Sequence, residues 1–259
     1  MSLDGERISH IDWRAAVVTT LAADWTSPWT ATTYEAGTPV MAVTPGKDER
    51  RRPLTFVSPS PEALALDLAR KAAAEADLCR RRVVVMPEPA PGTGFSISDE
   101  ELTQLFDYFE SCFVAVTFAY EALEAFANGE IMRANPSSGF EVVRRGQRTV
   151  IQPDQMERSL SLDEKLGGLL PQLLGVSSPK GQRPWRGFRT IQVERDALLH
   201  LKADDASPRD REKQSIFHRF WSDGVAMHET NALAMIEWFY RQREVPRWLA
   251  TLRHQTRSA

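Results

Sequence analysis

Arginine, aspartate and histidine stand at positions 195, 196 and 200 of a 259-residue chain. Together they make a compact constellation of a cation, a carboxylate and an imidazole, the last of which gains or loses a proton near neutral pH. The three lie between Trp185 and Lys202 in a stretch that reads as an amphipathic helix: at about 100° per residue, Phe188, Ile191, Leu198 and Leu199 share one arc. Arg195 falls inside that arc, while Asp196 and His200, four apart, stack on one flank. A guanidinium removed from water without a partner is costly, so Arg195 requires a carboxylate, a bound anion or a solvent-filled cleft.

Neighbouring segments supply inward-facing polar groups. A long helix is expected from Leu102, with Leu105, Phe106, Phe109, Phe113, Val116, Tyr120, Leu123 and Ala127 along one face, ending near Asn128-Gly129. Glu124 falls on that face between Leu123 and Ala127 and is the expected partner of Arg195. A final long helix is expected from Ile216 to Arg243, ended by Pro246; His228 and Asn231 fall on its face with Phe217, Trp221 and Met235. Ser98 to Glu101 and Ser161 to Glu164 read as capping boxes that open helices, the second leading into Lys165 to Leu174. Residues 130 to 152 read as an exposed loop or hairpin. Three helices turning polar groups inward favour a site over a purely structural core.

The remainder is less regular. Ile8 to Ala23 fits a short helix, Trp25 to Pro45 strands or ordered loop, and Glu62 to Cys79 an alanine-rich helix followed by a buried strand at Val83 to Met86. Pro87 to Gly94 is the expected domain boundary. The expected fold is therefore mainly α: a helical bundle over residues 96–259 behind a small N-terminal α/β extension over residues 1–95. The formal charge of -3 and pI near 6.0 argue against a surface coated for duplex nucleic acid, though not against a local basic site. Two cysteines without metal-ligand spacing, and no run of about eighteen apolar residues, point to a reduced cytoplasmic protein without a membrane anchor. The five histidines form no metal-ligand pattern, His228-Glu229 lacks a second histidine four residues on, and glycine-rich phosphate loops are absent. Neither a metal nor a cofactor is expected.

Arg195-Asp-Ala-Leu-Leu-His200, in a bundle helix that follows Leu162-Asp-Glu-Lys-Leu166, resembles the HEPN superfamily over roughly residues 98 to 243. The mark of that family is an arginine, a polar residue, and a histidine four to six residues beyond the arginine. Arg211 with His218 and Arg247 with His254 meet the spacing too, but the first pair straddles a loop-to-helix junction and the second lies in an expected frayed tail. The resemblance implies a metal-independent endoribonuclease acting as a homodimer with a composite site, in the manner of toxins and defence effectors, with RNA as substrate and an antitoxin or regulatory protein as a further partner. It assigns base or acid chemistry to His200, phosphate stabilisation to Arg195 and an orienting role to Asp196, giving 2',3'-cyclic phosphate ends. Lys202 stands where some toxin members carry a modifiable tyrosine, so that mode of control is not expected, and Asp196 replaces the commoner asparagine. The alternative is a HEPN-like bundle without catalysis, serving as a nucleotide-binding or protein-interaction module.

Overall fold

A computed structural model describes residues 12–87, 95–201, 205 and 215–258. It is mainly helical, with strands only in short antiparallel pairs. The chain forms two compact units, residues 1–64 with 244–259, and residues 65–243.

In the first unit, Val17–Thr20 (β1) pairs with Pro39–Met41 (β4), and Trp25–Thr26 (β2) pairs with Thr33–Tyr34 (β3), so the four strands fold into one irregular ribbon. Val43–Lys47 (β5) and Pro53–Val57 (β6) make a second ribbon. Backbone bonds from Ala16 to Ser58, Ser58 to Ala42 and Ala42 to Ala16 join their bases. The short helix expected over Ile8 to Ala23 does not form: Val17–Thr20 is a strand, as its β-branched run Val-Val-Thr-Thr favours, and residues 1–11 lie outside the described residues. The tail after Pro246, expected to fray, is a helix at Arg247–Ser258 that buries Trp248, Leu249 and Leu252.

Helix α1, Pro61–Arg82, begins in that unit and runs into the second, with proline in its first turn and three arginines in its last. Its later part belongs to the helical unit, so the units divide inside this helix rather than at Pro87 to Gly94. The physical reason is packing: Ala76 and Cys79 share one core with Tyr108, Cys112, Val116, Leu198, Ile216 and Phe220. The strand expected to be buried at Val83 to Met86 is instead a short one, Val85–Pro87 (β7), paired with Phe95–Ile97 (β8), and Val84 and Val85 are exposed. Among the described residues the N-terminal strand region is small and its strands pair antiparallel, while the rest of the chain is helical, as expected of a mainly α fold.

The second unit is organised on α2, Leu102–Ala134. Its buried stripe runs through Tyr108, Cys112, Ala115, Ala119, Leu123 and Phe126, where alanines let neighbouring helices approach. Phe106, expected on the inner face, is exposed. The helix also passes the expected stop at Asn128-Gly129 and ends at Asn135 in the left-handed region (φ 43°). Its last turns are held by Glu130, which is 1% exposed and accepts from Arg133, Arg243 and Tyr240 at 2.6, 2.8 and 2.9 Å. Hairpin Phe140–Arg144 (β9) and Gln147–Ile151 (β10) turns on Arg145-Gly146, both at positive φ, as a two-residue hairpin turn requires. Short helices follow at Met156–Ser159 (α3) and Leu162–Glu164 (α4), then a π-helical turn at Lys165–Leu169 and α5 at Leu170–Leu174. Helix α6 is Arg183–Leu199, α7 Ile216–Asp223 and α8 Ala226–Phe239. The single last helix expected from Ile216 to Arg243 is thus broken, because Gly224 adopts φ 69° and buried Val225 starts the chain in a new direction. Ser161 forms the expected capping box with Glu164, whereas Ser98 caps only a 3-10 turn and makes no side-chain cap bond.

Candidate functional site

Three segments of the second unit meet around Tyr120. From α2 come Tyr120, Glu124 and Asn128, spaced by four and therefore on one side of the helix. The segment opened by the Ser161 cap brings Asp163 and Lys165, and α6 brings Arg189, Gln192, Arg195 and Asp196. The Arg195 guanidinium lies over the Tyr120 ring, 4.4 Å from its centroid, and donates to Asp196 Oδ1 at 3.1 Å. Its side chain is 29% exposed, so the cation is neither sealed in the core nor free in solvent. Stacking on a tyrosine face is worth about 0.5–1 kcal/mol at such a position and fixes the plane of the guanidinium.

The expected Arg195 to Glu124 pair does not form. Glu124 accepts instead from Lys165, whose ammonium also donates to Asn128 Oδ1 at 2.8 Å. Lys165 is 1% exposed, and an ammonium taken out of water claims the nearest carboxylate first. Arg195, at the rim, meets the Tyr120 ring and its neighbour Asp196 and stays partly exposed. On the other side Arg189 donates to Asp163 at 2.7 Å and to Gln192 at 2.6 Å. The Tyr120 hydroxyl is pushed up to about 12, first by burial and then by Glu124, with Asp196 and Asp163 adding to the rise and Arg195 opposing it. It stays protonated in neutral solution.

His200 lies just beyond α6. It is exposed, with φ -125° and ψ 48°, and its backbone N–H donates to the Asp196 carbonyl at 3.1 Å. Asp196 directs its carboxylate at Arg195 rather than at the His200 ring, so the stacked pair expected on one flank is replaced by a helix ending between them.

His228 and Asn231 are not part of this cluster. His228 is buried and its Nε2 lies 2.5 Å from Glu194 Oε2, while its Nδ1 has no hydrogen-bond partner. Asn231 sits where α8 crosses α6, packed against Gly187 so closely that a Cβ there would lie 2.7 Å from the Asn231 carboxamide. Both polar residues therefore serve the α6 and α8 contact, on sides of α6 other than that of Arg195. Next to them Glu229 is buried, with its carboxyl pushed up by burial against the pull of Arg70.

Sequence reasoning missed Lys165, Asp163, Arg189 and Glu194. Lys165 carried a faint signal: it stands between a capping box and Leu166 in a stretch whose buried positions continue through Gly167 and Leu169. The π turn that carries it inward breaks the 3.6-residue period, and such turns are frequent at functional sites. Among the described residues no group of three or more histidine, cysteine, aspartate or glutamate side chains is arranged to hold a metal ion. No helix among them is long and apolar enough to cross a membrane. Compared with known proteins, the chain matches no family model, no curated protein and no solved structure.

Proposed function

We propose that the chain is an endoribonuclease of the HEPN type that uses Arg195 and His200 without a metal. The observation that carries this is the state of Arg195: a cation oriented on the Tyr120 face at 4.4 Å and 29% exposed, with its expected carboxylate taken by Lys165. A guanidinium fixed in this way can receive a phosphate by displacing Asp196, which holds it through one bond of 3.1 Å between adjacent residues. His200, exposed at the end of the same helix, is available to take the proton of an RNA 2'-hydroxyl. The 2'-oxygen then attacks phosphorus, the bond to the 5'-oxygen breaks, and the products are a 2',3'-cyclic phosphate and a 5'-hydroxyl, with the departing oxygen protonated by an acid. Arg195 stabilises the charge on the pentacoordinate phosphorus.

Arg195 lies within α6 and His200 just beyond its end, so one copy offers a single histidine with the arginine, and a composite site of two copies supplies the second general acid or base. The binding-module alternative draws on the same geometry, since the Asp196 carboxylate engages Arg195 and not the His200 ring. Cleavage of mixed cellular RNA in excess chelator separates the two. Wild-type protein should yield cyclic-phosphate ends, and Arg195→Ala and His200→Ala should not. Cutting that persists in His200→Ala, or that needs an added divalent metal, would refute this mechanism; an inert wild-type protein would favour the module.

A further inference from the structure

Among the described residues, the first unit carries aromatic and cationic groups that stand exposed to solvent. The longer ribbon is tied across its length: the Leu21 N–H donates to the Thr38 carbonyl at 3.0 Å, the Thr26 and Thr33 hydroxyls meet at 2.9 Å, and the Ser27 N–H donates to the Thr32 carbonyl at 2.8 Å to close the tip. Within this ordered frame Trp25 stacks on its cross-strand partner Tyr34, with centroids 5.9 Å apart and planes inclined by 27°. Trp29, at the tip, is 85% exposed and Trp25 44%. An indole left in water forgoes a large hydrophobic gain, and here its backbone is held while its ring is offered. The tip also holds Ala31 at φ 54°, a conformation unfavourable for a residue with a Cβ.

The shorter ribbon ends in the turn Lys47-Asp-Glu-Arg-Arg-Arg52, four cations against two carboxylates. Asp48 folds the turn around itself: its carboxylate accepts from the backbone of Arg50 and Arg52 at 3.0 and 2.8 Å and from Arg52 Nε at 2.6 Å. These bonds hold the Asp48 carboxyl below its ordinary range and neutralise Arg52. Lys47, Arg50 and Arg51 remain exposed around it.

We infer that these two ribbons form a surface for single-stranded RNA, with bases stacking on Trp29 and on the Trp25 and Tyr34 pair, and phosphates met by Lys47, Arg50 and Arg51. The assignment rests on the ribonuclease proposal only for the choice of RNA as the ligand. Flat aromatic faces bind unstacked bases of any sequence, and a duplex offers none, so a single strand is the form that fits. The overall charge of -3 is compatible, since the cations are gathered at one turn. A second copy of the chain fits less well: a twofold contact centred on the arginine turn would place its cations against copies of themselves.

The test uses the full chain carrying His200→Ala, so that cleavage does not consume the probe, and a fluorescein-labelled oligouridylate read by anisotropy. The parent should bind, and an unlabelled RNA duplex should compete poorly. Adding Trp29→Ala should weaken binding by at least about fivefold while leaving the salt dependence unchanged. Adding Arg50→Ala with Arg51→Ala should reduce the slope of log K against log salt by about 1.4, two phosphate contacts on a single strand. Because both sets of side chains are exposed, circular dichroism should match the parent in each case. Equal binding by all variants would overturn the surface while leaving the cleavage proposal untouched. So would the absence of binding by a parent whose wild-type counterpart cuts RNA. Concentration-dependent self-association abolished by Trp29→Ala would assign the aromatic tip to a second copy instead and overturn the RNA surface.

Discussion

Replacing Glu124 with alanine strips the Lys165 ammonium of its carboxylate while leaving it where it is. Lys165 is 1% exposed, so water does not reach it from its own side, and removing one partner of a buried pair ordinarily costs about 3–5 kcal/mol. Two features reduce that figure here. The Asn128 carbonyl remains at 2.8 Å, and Glu124 is 28% exposed, so the space it vacates opens to solvent. A loss of about 2–3 kcal/mol results, equivalent to a fall in melting temperature of roughly 4–12 °C for a chain of this size. Lys165→Met, which keeps the volume and leaves Glu124 at the rim in contact with water, should cost less than about 1.5 kcal/mol. The double variant should resemble Lys165→Met alone, because Glu124 has then lost only an exposed carboxylate. Urea unfolding of the three variants and the wild type completes the cycle. An unchanged midpoint for Glu124→Ala, or an equal loss for both single variants, would show that the ammonium does not depend on this carboxylate.

Other consequences of the packing are open to measurement. Arg144 donates to Glu164 at 2.8 and 2.6 Å and, with the Ser161 cap, holds its carboxyl at about 2 rather than the ordinary 4.5. Since the folded value lies below the unfolded one, this stabilisation is complete above pH 4.5 and disappears as pH falls towards 2. The stability gap between wild type and Arg144→Ala should therefore be present at pH 6 and close across that window in acid melts; a gap constant with pH would contradict the pairing. Glu229 is the opposite case: burial raises its folded value, so it weakens the fold once pH rises through that value. Glu229→Gln should raise the melting temperature at neutral pH and lose this advantage below pH 4.5, whereas a lower melting temperature at pH 7 would refute it. Gly187→Ala forces a Cβ to within 2.7 Å of the Asn231 carboxamide and should cost about 1–3 kcal/mol, with recovery when Asn231→Ala is added; no recovery would mean that the strain lies elsewhere.

The amino-acid pattern alone determined the helical character of the chain, because alanine-rich and 3.6-periodic segments, the Ser161 capping box and Gly175 act within a few residues of themselves. It also singled out Arg195, since a charge within an apolar arc is a local contradiction that any fold has to resolve. How it is resolved lay beyond the pattern. Glu124 faced inward as its position on α2 required, yet which cation it meets depended on whether Arg195 or Lys165 is the more deeply buried, and that is decided by a π turn that breaks the period. The same limit explains His228 and Asn231, which share a helix face with the core but meet Glu194 and Gly187 on other sides of α6. Helix ends were misjudged where distant groups set them. Glu130 carries α2 past Gly129 because Tyr240 and Arg243 reach it from more than a hundred residues away, and Gly224 breaks a pattern that is helical on both of its sides. Periodicity reports which face of an element turns inward; which groups face each other there is settled only when separate elements compete for the same partners, and burial decides that competition.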